Sequence, residues 1–226
     1  MPRLTPELLL CAYASGLFPM ANDRHDPTIH WIEPRRRGVL PIEGFHASRS
    51  LLKLVRRRRF EVRIDSAFEH VIEACAQPRL ERPRTWLNDE LIALYCALFE
   101  LGYAHSVESW IGDRLVGGLY GVSLGAAFFG ESMFSIERDA SKVALSVLVE
   151  RLRTGGYLLL DTQFVTDHLR RFGAVEISRD NYRRQLKAAL ESPAVFYSDE
   201  GAVLSASPWS RFGGAIGSSQ STTQTS

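Results

Sequence analysis

Apolar positions in the first hundred residues recur mostly at helical spacing, and beyond residue 103 they alternate. Thr5-Pro6-Glu7 reads as a helix start, with Thr as cap and Pro in the first turn, and Gly16 as the stop. Ser48 opens a second helix through Leu51, Leu52, Leu54 and Val55 into a run of arginines. Residues 60 to 64 alternate as a short strand. Ser66 with Glu69 three residues on predicts a capping box for a helix to about Ala76. Asn88 caps a longer helix that Gly102 closes.

Residues 104–111 and 114–122 then read as strands joined by the short turn Gly112-Asp113, and 126–133 as a third. A helix (140–152), a strand (157–161), a helix (167–172), a strand (175–178) and a closing helix (180–190) follow. An antiparallel meander followed by αβαβα is similar to the acyl-CoA N-acyltransferase order. The expected class is therefore α+β: an acyltransferase-like domain preceded by a smaller, mostly helical N-terminal region. The expected divisions are 1–60, a catalytic domain over 61–207, and a Gly/Ser/Thr-rich tail over 208–226 whose composition predicts disorder. That fold normally cradles a CoA pyrophosphate on a glycine-rich loop. Here the corresponding loop, 135–142, has no glycine and carries Glu137 and Asp139. CoA is thus not the expected donor, and no cofactor is expected.

The chain has 226 residues, 45% hydrophobic and 23% charged, which suits a folded protein. No run of about 18 apolar residues suggests a membrane span. The N-terminus lacks an apolar signal core, so a cytoplasmic setting is expected. Cys11, Cys75 and Cys96 stand singly in apolar helical patterns and read as reduced core thiols. No His/Cys cluster has metal-ligand spacing, so no metal is expected. Net charge is only +1, yet residues 35–59 carry +8 and the remainder −7. Such a block, containing Arg49, Lys53, Arg56, Arg57, Arg58 and Arg59, suits a polyanion; a solvated helix face is the bland alternative.

Two segments carry candidate chemistry. Residues 129–135 read as an apolar strand that ends in a buried-looking carboxylate, Glu131, and Leu160-Asp161-Thr162-Gln163-Phe164 as an apolar strand ending in a carboxylate and an amide. Polar groups just past apolar strands sit at the open edge of a sheet, where ligands bind. A carboxylate such as Glu131 needs a partner, and Arg138 or Lys142 would make it a plain salt bridge. On a regular strand, positions 161 and 163 share a face, which would point Asp161 and Gln163 into one cleft. An amide oxygen only accepts, so Gln163 would orient a group while Asp161 held a proton. The bland readings are a strand-end cap for Asp161 and a buried bridging amide for Gln163. Trp31 and Trp110 read as core, and His168 as a helix-surface histidine.

Taken in order, Gly16-Leu-Phe-Pro19, His30-Trp-Ile-Glu-Pro-Arg35, Phe45-His-Ala-Ser-Arg49, Thr85-Trp86, Gly102 to Glu108, Leu115 to Gly121, Phe129 to Ser135 and Leu160 to His168 resemble the leucyl/phenylalanyl-tRNA–protein transferases. The resemblance spans about residues 8 to 190. Met20 stands where many members have Trp, and Thr166 where many have Asn. It implies transfer of Leu or Phe, with Met as a further donor, from aminoacyl-tRNA to the α-amine of proteins beginning with Arg or Lys. Such transfer marks them for N-end-rule degradation in the bacterial cytoplasm. It implies Asp161 and Gln163 as a catalytic relay, and Glu131 and Thr166 as acceptor-binding. Leu119, Phe128, Leu148, Leu152 and Leu160 would line the donor side-chain pocket; singly, each is as readily core. Met20, Trp86 and the basic run would meet tRNA. A monomer without membrane contact is expected. The rivals are a peptidoglycan-type aminoacyl-tRNA-dependent transferase, which has no need of Glu131, and a non-catalytic RNA-binding module, which needs neither Asp161 nor Gln163.

Overall fold

The computed structural model describes residues 4–78 and 84–197. Its elements run α1 (Pro6–Ala14), β1 (Phe18–Met20), β2 (His30–Ile32), β3 (Arg36–Val39), α2 (Arg49–Arg56), β4 (Glu61–Ile64), α3 (Phe68–Ala76), α4 (Asp89–Glu100), β5 (Ala104–Ile111), β6 (Arg114–Leu124), β7 (Ala127–Ser135), α5 (Ala140–Thr154), β8 (Leu159–Gln163), α6 (Asp167–Arg170), β9 (Val175–Ser178) and α7 (Arg179–Leu190). The meander β5–β6–β7 and the order α5-β8-α6-β9-α7 stand as expected, an α+β arrangement around a mixed sheet. No helix among the described residues is long and apolar enough to cross a membrane.

The caps explain why the helices begin where they do. Thr5, Ser48 and Asn88 each accept a backbone N–H of the first turn of α1, α2 and α4. Ser66 does not cap α3. Its hydroxyl and the N–H groups of Ser66 and Ala67 all turn to the buried Glu108 carboxylate of β5. The Glu108 carboxylate thus takes two backbone donors at the helix start, as many as a capping box would.

Seven strands form one sheet in the order β4-β5-β6-β7-β8-β3-β9. Only β7 and β8 run parallel, as a helical crossover through α5 requires. Alternation sorts β7 and β8 onto two cores. Phe129 and Leu159 pack with α1, α3, α4 and α7 on one face, and Phe128 and Leu160 pack with α2 and α5 on the other.

The first sixty residues hold α1 and α2 and contribute strands as well. They supply the hairpin β1–β2 and, in β3, a strand inserted between β8 and β9 of the main sheet. Leu9 and Tyr13 of α1 join the same core as α4 and β7. β3 thus ties the first sixty residues to the main sheet of the expected catalytic domain. The tail expected at 208–226 lies outside the described residues. Cys11 is exposed rather than core, and Trp31 is 39% exposed.

Candidate active site

β7 and β8 pair only over Ala127–Phe129 and Leu159–Asp161. Beyond these residues the strands part, and a cleft of about 550 Å³ opens in the gap. Two irregularities shape it. Between Gly121↔Gly130 and Tyr120↔Ser132, Glu131 is the extra residue of a β-bulge, which re-aims its side chain. Gly121 makes room for the bulge: a Cβ there would lie 2.3 Å from the Phe129 carbonyl oxygen. In β8, Thr162 is likewise extra against Gly38–Val39, and Gln163 adopts φ +54°. A Cβ on Gly38 would meet this turned backbone at 2.7 Å.

Because of that second bulge, Asp161 and Gln163 do not enter one cleft. Gln163 lines it; Asp161 is fully buried behind it, towards α7. Both Asp161 oxygens are occupied. Arg37 Nε donates to Oδ1 at 2.9 Å, Arg37 Nη2 to Oδ2 at 2.6 Å, Tyr182 Oη to Oδ2 at 2.7 Å, and the Gln163 N–H to Oδ1 at 2.8 Å. Arg37 is itself 1% exposed, lies 4.6 Å from the centres of the Phe18 and Tyr182 rings, and donates to the Gly16 carbonyl. Burial, then the neighbouring Asp161 carboxylate, drives the Tyr182 hydroxyl far above its usual range, so it stays a donor. Asp161 thus accepts from Arg37, Tyr182 and the Gln163 backbone and does not line the cleft.

Glu131 occupies the cleft instead. Its partners are neither Arg138 nor Lys142, both of which approach Asp139. Tyr13 Oη donates to Glu131 Oε1 at 2.7 Å, Tyr95 Oη to Oε2 at 3.1 Å, and Gln163 Nε2 to Oε1 at 3.0 Å. The two tyrosine hydroxyls also meet at 2.6 Å. Two hydroxyl protons cannot fill all three contacts; protonation of Glu131 would fill the third, with Tyr95 then accepting from Oε2 rather than donating to it. Burial, opposed by the two tyrosines and reinforced by the nearby Asp161 charge, lifts the Glu131 carboxyl from 4.5 to about 7.

On one side of Glu131 the cleft is walled by Phe18, Pro19, Met20 and Trp86, with Trp86 edge-on to Tyr95 at 6.4 Å. On the other, Leu119, Leu145, Leu148 and Leu160 make an apolar limb. Of the five residues expected in the donor pocket, three are there. Phe128 and Leu152 lie in the core behind it, fully buried. Thr166 is at the rim and caps α6 through the Leu169 N–H. His168 also lines the cleft rather than an open helix surface.

Arg49, Lys53, Arg56, Arg57, Arg58 and Arg59 are exposed on and just after α2, whose Leu51 and Val55 bury instead. Arg59 reaches Glu137 at 3.2 Å. Sequence reasoning missed Tyr13, Tyr95, Tyr182 and Arg37. Tyr13 shares an i, i+4 face with Leu9, which signals burial but not a carboxylate partner.

A family model for leucyl/phenylalanyl-tRNA protein transferase matches residues 39–187, and a model for the N-terminal domain of that transferase matches residues 3–35. The chain belongs to this family. It is an aminoacyltransferase. A leucyl/phenylalanyl-tRNA–protein transferase from Paramagnetospirillum magneticum is 57% identical over 196 residues, covering 87% of this chain and 94% of that protein. One from Zymomonas mobilis is 55% identical over 189 residues, covering 84% and 70%. A solved protein of unknown function from Staphylococcus epidermidis overlaps 63% of this transferase and 57% of its own chain, at 13% identity and a TM-score of 0.40. That likeness carries no argument about the site.

Proposed function

We propose that this chain transfers Leu or Phe, and also Met, from aminoacyl-tRNA to the α-amine of proteins that begin with Arg or Lys. The acceptor amine attacks the ester carbonyl. The amine loses a proton, the C–O bond to the tRNA ribose breaks, and the ribose oxygen is protonated as it leaves. The products are a peptide bond and free tRNA. Aminolysis of an ester is downhill, so the site has to position two substrates and manage one proton.

The observation that carries this reading is Glu131, a carboxyl near pKa 7 in the cleft where β7 and β8 part. An α-amine titrates at about 7.7–8.0, so the two groups are closely matched for proton transfer. Gln163 must donate its Nε2 to the carboxylate, since a carboxylate only accepts. Its Oε1 is then left for an amine N–H. Three of the roughly four acceptor positions of Glu131 are already used. The remaining one serves the attacking amine or the acceptor's cationic side chain, one at a time. We therefore give Glu131 the proton-acceptor role and Asp161 the role of fixing Gln163. Met20 and Trp86 would flank the terminal adenosine, and the apolar limb would hold the donor side chain. Modified proteins would enter N-end-rule degradation in the cytoplasm.

The test is transfer of labelled Leu from Leu-tRNA to peptides beginning with Arg, Lys or Ala. Labelling of the first two is expected. Labelling of a cell-wall precursor instead of peptides, or tRNA binding without transfer, would defeat the proposal.

A further inference from the structure

His168 breaks the leucine lining of the donor limb. It sits in α6 beside Leu169, its ring 5.2 Å from Phe172 at 71°. Its Nε2 is buried and has no hydrogen-bond partner, and the Oγ1 of Thr162, another cleft residue, is in the same state. A buried polar atom left unpaired is costly, and a native structure keeps one where a ligand or water completes it. Leu145, Leu148 and Leu160 around the limb offer no side-chain acceptor or donor. A group that enters the limb and shifts the ring slightly would supply the partner.

We propose that His168 is a specificity-determining residue of the donor pocket, its Nε2–H directed at the substrate's side chain and favouring an aromatic ring over a branched alkyl chain. The inference rests on the transferase reading above. Burial, with the Lys142 and Arg171 charges, holds the imidazole below its usual pKa, so it is neutral and carries one N–H. A phenyl face accepts an N–H, as a thioether sulfur does weakly. A leucyl side chain accepts nothing and leaves the nitrogen buried and unpaired. On that reading the donor ester would lie beside Glu131, and the side chain would be the part of the substrate that reaches this limb.

The test compares kcat/KM for Phe-tRNA and Leu-tRNA in wild type, His168→Leu and His168→Gln. The Phe/Leu ratio is expected to fall about three- to tenfold in His168→Leu. His168→Gln, which restores an N–H, should keep more of the ratio. An unchanged ratio in His168→Leu overturns the proposal. So does an identical fall in both variants, which would make pocket shape the determinant. A second measurement needs no variant and no turnover: the affinities of phenylalanyl- and leucyl-adenosine joined by a 3′-amide. Tighter binding of the phenylalanyl compound is expected, and equal affinities overturn the proposal. Wild type that transfers neither donor would instead sink the transferase reading, whatever these affinities show.

Discussion

Arg37 grips Asp161 in an ion pair 1% and 0% exposed, at 2.9 and 2.6 Å, and so ties β3 to the end of β8. Breaking such a pair leaves one charge buried and uncompensated, which costs about 3–5 kcal/mol. Asp161→Asn should therefore lower the urea midpoint as well as turnover. The double change Arg37→Met, Asp161→Leu should regain most of that stability, yet stay slow because the Gln163 N–H has lost its acceptor. An Asp161→Asn protein with the wild-type midpoint would contradict the structural role given to this carboxylate.

Glu131 should set the pH dependence. Its folded pKa, about 7, lies above its ordinary 4.5. The folded state binds the proton more tightly, so this stabilisation is full below 4.5 and is lost as pH rises through 7. The melting temperature of Glu131→Gln relative to wild type should accordingly climb between pH 4.5 and 7 and level off above. The kcat/KM of wild type should rise through pH 7 as the carboxylate forms, and that limb should vanish in Glu131→Gln. Identical pH profiles for the two proteins would remove Glu131 from the proton path.

Gln163 separates fold from chemistry. Its φ of +54° costs an ordinary side chain strain, and Asn tolerates this region better than Gln. Gln163→Asn should be as stable as wild type or slightly more so. Its amide is one methylene too short to reach Glu131 at 3.0 Å. Turnover should drop about 10²-fold, on the scale of one lost positioned donor. Retained turnover with a peptide acceptor would show that the amide is only structural.

The α2 face offers a separate test of tRNA contact. Arg56 and Arg57 are exposed, and replacing both by Gln should change folding stability by no more than about 0.5 kcal/mol. If each neutralises one phosphate of a single strand, log K against log salt should flatten by about 1.4. Affinity should fall alike for every tRNA, since phosphates carry no sequence information. An unchanged slope would place the tRNA elsewhere.

Local chemistry in the sequence determined much of this protein. Thr5, Ser48 and Asn88 cap helices because their side-chain oxygens reach the first turn whatever surrounds them. The strand runs on either side of the Gly112-Asp113 turn specified the meander, whose two faces pack into separate cores. The segments around Glu131 and Gln163 were visible as polar groups set in apolar strands. Tertiary structure decided the rest. Arg37 sits among arginines in the sequence, and only the insertion of β3 beside β8 takes it out of the basic surface and into the core. Ser66 does not cap because the Glu108 carboxylate, 42 positions on, takes its hydroxyl and its N–H. A bulge shifts the strand count by one residue, so period-two reasoning put Asp161 beside Gln163, and the folded chain puts Glu131 there. Which carboxylate lines the cleft depends on the bulges at Glu131 and Thr162, and no local pattern encodes them.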